Sequence, residues 1–245
     1  MDVGLLLTLF HIIGVAVGVG GATVSDVLFF RALSDRRISK DELSLLHTLG
    51  MVVWAGLIIL IASGVGFLLS QYIVSGSVTY LQMSWFQAKL TIIAILSTNA
   101  LVMHWYIFPF MAGHLGRKLD FKTMRPKLAL FATTGVVSIV SWYSALTLGV
   151  TRGLDFSYGL IFNLYLVLLA FGVLVAYTIL SVAIFTRPTK NPTVSAHPRG
   201  WKVVIIAVLL GLVLVVVSWW LARQVEVSSA TAGADGQSSS DHAHH

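Results

Sequence analysis

Residues 5–30 read LLLTLFHIIGVAVGVGGATVSDVLFF, and residues 31–37 that follow read RALSDRR. Within the first stretch only His11 and Asp26 can ionise. As a helix it would rise about 39 Å at about 1.5 Å per residue, more than the roughly 30 Å hydrocarbon core of a bilayer. Charge follows the run, at Arg31, Arg36 and Arg37, and no basic segment precedes it. That order reads as a membrane-spanning helix rather than a secretory signal.

Working outward, the same pattern recurs along the chain. Apolar runs bounded by charge fall at 5–30, 43–69, 83–111, 128–150, 158–185 and 203–222. The fold expected is all-α: a polytopic bundle of six transmembrane helices over residues 1–222. Residues 223–245 read as a polar, disordered tail, in which His242, His244 and His245 are solvated. The composition agrees, since 57% of the 245 residues are hydrophobic and 11% are charged. A soluble domain carries about a quarter charged residues.

The formal net charge of +6 invites a nucleic-acid reading, but the placement of the charge argues against one. The first, third and fifth connections hold 13 of the 16 Lys and Arg residues, and only Lys89, Arg152 and Arg223 lie elsewhere. The positive-inside rule then makes the odd connections cytoplasmic and puts both termini outside. The expectation is an integral membrane protein of a bacterial inner membrane, with the lipid bilayer as its main partner. With no Cys in the chain, disulfides and thiolate metal sites are excluded.

Ionisable groups inside the spans are His11, Asp26, His47, Lys89 and His104. Such groups are costly in lipid and commonly line a site or a pathway. Lys89 lies near a helix end and has a stem long enough to snorkel. His11 and Lys89 each lie about six residues, or about 9 Å, into helices running the same way. Asp26 and His104 each follow fifteen residues later, about 22 Å further along. His47 starts the antiparallel second helix at that same depth. Two layers result: His11 with Lys89, and Asp26 with His47 and His104.

His11, Gly14, Gly18, Gly21 and Ser25 recur at helical spacing and give the first helix a nearly smooth face. Gly14 and Gly18 form a GxxxG motif, whose common use is close helix packing. A histidine at the head of such a face also suits a flat macrocycle, which needs one axial nitrogen and room beside it. His47, Gly50 and Trp54 repeat this arrangement in small form. In the second layer, His47, His104 and Asp26 could serve a non-haem metal ion, or the two histidines could clamp a haem.

At these residues the chain resembles a known group. The first helix, and WFQAKLTIIAILSTNALVMHWY at 85–106, look like the corresponding helices of HemJ-type protoporphyrinogen oxidases and the wider CopD-like membrane group. The resemblance runs over roughly the first half of the chain, through His114. It implies that His11 and Lys89 match the family's functional His and Lys, and that His104 falls near its later histidines. The chain departs from the family in having six spans rather than four and Gln87 where the family has His. It also lacks the Pro-Arg of the first helix.

The leading expectation is a membrane b-type haem protein in electron transfer or haem-linked oxidoreduction. Its cofactor would be haem b, held among His11, Gly14, Gly18, His47, Lys89 and His104, with a redox partner or a second copy beside it. One alternative is a transporter or channel for a metal ion or small solute, with the Asp26, His47 and His104 layer as its inner site; His11, His47, His104 and Asp26 are the candidate metal ligands of the chain. Another is a structural subunit of a membrane complex. The catalytic residues stay unassigned.

Overall fold

The structure is a computed structural model that describes residues 2–35, 38–116, 125–151 and 156–186. The expected sixth span at 203–222, the tail, and most of the third and fifth connections lie outside the described residues. Those residues form helices and connecting turns, with no strand. The helices are α1 (Val3–Asp35), α2 (Lys40–Ser75), α3 (Ser84–Val102), α4 (Phe108–Gly113), α5 (Arg125–Val150) and α6 (Tyr158–Thr186). A π turn, Met103–Ile107, joins α3 to α4. Among the described residues, five stretches are long and apolar enough to cross a membrane: Val3–Ala32, Lys40–Ser75, Ser84–Gly113, Ala129–Val150 and Tyr158–Ile179.

The helix boundaries have local causes. Ser39 starts α2 with a capping box: Glu42 N–H donates to Ser39 Oγ at 3.1 Å, and Ser39 N–H donates to Glu42 Oε2 at 3.0 Å. Gly76 ends it in the left-handed region at φ 67°, its N–H donating to Tyr72 O. The π turn traces to Pro109, which has no N–H to give the carbonyl of Trp105, four residues back, and whose ring would crowd it. The chain widens instead, and Phe108 N–H reaches Met103 O, five residues back.

Apolar surface faces outward here, as lipid requires. Leu5, Ile12, Ile58, Val167 and Leu174 are exposed, whereas Ser25, Asp26, Ser63, Asn99, Thr134 and Ser141 are buried. In a bilayer, helices gain little from burying apolar area against one another, so small residues and hydrogen bonds hold the bundle together. Three buried clusters mark its length. Phe29, Ile38, Leu46, Ile107, Met111 and Phe131 pack at the end that carries Lys40 and Lys127. Ala22, Leu57, Leu96 and Trp142 fill the middle. Ala88, Ile92, Leu148, Ile161 and Tyr165 close the other end.

Helices α1 and α2 lie along each other through glycine. A Cβ built on Gly56 would lie 2.5 Å from Gly18 N and 2.6 Å from Gly18 Cα, and one on Gly14 would lie 3.0 Å from Leu60 N. Helix α5 packs against α1, α3 and α6, and its Thr134, Ser138 and Ser141 recur at four- and three-residue spacing. Asn99 of α3 donates to Thr134 O at 3.0 Å. Ser141 Oγ and Tyr165 Oη of α6 lie 2.9 Å apart, and Tyr143 Oη meets Thr23 Oγ1 of α1 at 3.1 Å. Two side chains and one backbone carbonyl of α5 thus tie it to α6, α1 and α3.

Candidate functional site

His11 is half-buried on α1, with Nδ1 2.9 Å from Ser63 Oγ of α2. Ser63 gives its one hydroxyl hydrogen to Leu60 O at 3.1 Å. Which of the two donates in the His11–Ser63 contact depends on the imidazole tautomer. Phe67 meets the imidazole edge-on, with ring centroids 5.8 Å apart. Lys89 of α3 lies close enough for its charge to act on His11. The fold brings these two residues into one neighbourhood, at the end of the bundle away from Lys40.

The glycine face beside His11 is occupied by protein. Gly14 lies against the backbone at Leu60, Gly18 against the Trp142 ring and Gly56, and Gly21 against Val52 and Val53. A cavity of about 30 Å³ remains between α1, α2, α3 and α5, lined by Val15, Val19, Leu57, Lys89 and Trp142 among others. It has room for about two waters, whereas sites for larger ligands run to about 300–1,000 Å³. A macrocycle does not fit between these helices as they are packed. The face serves the GxxxG packing that the motif equally suggested.

At the opposite end, His47 of α2 and His104 of the π turn stand side by side. Their ring centroids are 6.4 Å apart and their planes are 39° apart. Phe108 lies 6.3 Å from His47, centroid to centroid. Both imidazoles are on the exposed exterior of the bundle, next to Trp105 and Tyr106. Among the described residues neither has a hydrogen-bond partner.

Asp26 shares their depth but not their position. It is 3% exposed, inside the bundle, with Ser138 of α5 as its hydrogen-bonding side chain. Its Oδ2 is buried and, among the described residues, has no hydrogen-bond partner. Among the described residues no three His, Cys, Asp or Glu side chains gather closely enough to hold a metal ion. The expected layer thus divides into a histidine pair outside and a carboxyl inside. Equal depth brings residues level, and the rotation of each helix then decides which of them meet.

Attention to ionisable groups alone missed Ser63, Asn99, Ser138, Ser141 and Tyr165. The signal for those on α5 was present: Thr134, Ser138 and Ser141 form a polar stripe at helical spacing in an otherwise apolar run. Ser63 stands alone among apolar residues and had no such pattern to mark it. No family model, no curated protein and no solved structure matches this chain.

Proposed function

We propose that this protein is a membrane b-type haem protein whose iron ligands are His47 and His104. The observation that carries the reading is their 6.4 Å centroid separation. A haem bound there would be held by these two imidazoles, and it would need no further protein ligand. Haem is favoured over a non-haem metal ion because, among the described residues, no third His, Cys, Asp or Glu joins the pair.

Haem bound there would supply one-electron redox chemistry. The chain's own contribution is geometric. Pro109 sets the π turn that carries His104, and Phe108, just after that turn, backs the His47 ring. Because the pair is on the exterior, the group would sit at the rim of the bundle. A redox partner or a second copy of the chain could reach it there. His11 is the second candidate ligand, although its glycine face is filled by helix packing.

The proposed setting is a six-span chain in a bacterial inner membrane with both termini outside. The basic bias of the odd connections supports that topology. The test of function is spectroscopic. Protein purified in detergent should show a Soret band with reducible α and β bands, and His47→Ala and His104→Ala should each abolish or shift them. A colourless preparation that stays colourless after haem addition refutes the reading. So does an unchanged spectrum in both variants.

A further inference from the structure

The buried carboxyl of Asp26 is separate from the histidine pair and asks for its own account. It is 3% exposed, flanked on α1 by buried Ala22, Ser25 and Phe29. One polar side chain, Ser138 of α5, hydrogen-bonds it, and Oδ2 faces protein with no partner. The elements packed on α1 carry Lys40, Asp41, Glu42 and His47 on α2 and Lys127 on α5, all exposed or half-exposed. On α1 itself Arg31 is exposed. None of these charges acts on the carboxyl, and Lys127 lies over the Phe110 ring instead, 4.5 Å from its centroid.

An ionised carboxylate without a counter-charge in such a place is strongly disfavoured, and the group takes up a proton instead. The neutral acid is still not fully satisfied. Ser138 serves one oxygen, and Oδ2 has no hydrogen-bond partner among the described residues. That shortfall disappears once α1 and α5 move apart far enough for water to reach Oδ2. The proton can then leave to that water. Packing and protonation therefore favour each other, and opening and release favour each other.

We infer that Asp26 is a proton-binding site inside the bundle, loaded while α1 packs on α5 at Ser138 and unloaded when that contact opens to water. The ligand is a proton rather than a sodium ion, because a single carboxyl with one hydroxyl offers too few oxygens to replace a hydration shell. This site requires neither the histidine pair nor a haem.

The experiment is infrared difference spectroscopy of the full chain in liposomes, stepped in pH. At neutral pH the wild type should show the C=O stretch of a protonated carboxyl that Asp26→Asn lacks. The band should shift in Ser138→Ala and disappear as pH is raised. Absence of any band lost in Asp26→Asn overturns the inference, because Asp26 is then ionised. A band that never titrates overturns it too, since the proton is then fixed. Loss of the band on adding sodium at constant pH assigns the site to sodium instead. Should Asp26→Asn fail to insert, labelling of wild-type Asp26 by an apolar carbodiimide, read by mass spectrometry, replaces it. Labelling that falls with rising pH supports the site, and labelling that is absent or indifferent to pH overturns it.

Discussion

A methyl group placed on Gly56 tests how the first two helices are held. Its Cβ would lie 2.5 Å from Gly18 N, 2.6 Å from Gly18 Cα and 3.1 Å from Gly14 O. All three are backbone atoms of α1, so no side chain can rotate away, and relief requires the helices to separate. Overpacking of this kind costs about 1–3 kcal/mol. The upper part of that range applies here, about 2–3 kcal/mol, or about 30- to 150-fold in the folding equilibrium at 1.4 kcal/mol per decade. Gly64, on the same helix, has nothing within 4 Å of the equivalent position. Gly64→Ala should therefore be neutral or stabilising by about 0.5–1 kcal/mol, the ordinary gain of Ala over Gly within a helix. Unfolding in mixed micelles, followed by tryptophan fluorescence, reads both variants against the wild type. If Gly56→Ala is as stable as Gly64→Ala, the α1–α2 contact is not the close glycine contact described, and the filled face beside His11 must be reconsidered.

Pro109→Ala removes the cause of the π turn. A regular helix would then rotate the segment after the turn by about 100°, one residue's rotation, moving Phe108 off the His47 ring, so any haem spectrum should weaken or shift, and a spectrum identical to wild type would detach Phe108 from the site. Ser39→Ala breaks the capping box of α2 and should cost about 1 kcal/mol, read in the same micelle unfolding assay; no loss would mean the box does not hold the helix start. Reporter fusions after Lys122 and after Arg223 should report opposite compartments, and the same compartment for both would end the six-span topology.

The first five spans were legible because charge brackets each apolar run, and lipid tolerates little else between the brackets. Their true extents were less so. The run at 43–69 suggested a helix shorter than α2, which continues from Lys40 to Ser75. Hydropathy sees only the part that needs lipid, whereas the backbone follows caps, and Ser39, Glu42 and Gly76 were in plain view. The run at 83–111 read as one helix, yet Pro109 within it marked the place where the regular ladder must change. Depth was legible as well, since 1.5 Å per residue is a property of every α-helix. Rotation about the axis was not. Asp26, His47 and His104 are level, but their azimuths depend on packing that spacing within one helix cannot report.

The bundle's own polar accounting shows where function should be sought. Ser141 has Tyr165, Asn99 has the Thr134 carbonyl, and His11 has Ser63. Each of these can be explained as hydrogen bonding that holds helices together in a solvent that offers none. Other groups lack that explanation: buried Asp26 Oδ2, Gln71 Oε1 and Trp142 Nε1, and the exposed imidazoles of His47 and His104, which among the described residues have ring contacts but no hydrogen bond. Of these, Asp26 and the histidine pair can ionise or ligate a metal. A lone carboxyl oxygen in the interior weakens the packing that encloses it. The presence of Asp26 and of the pair is best explained by what each can bind: a proton at Asp26, and a metal centre between His47 and His104.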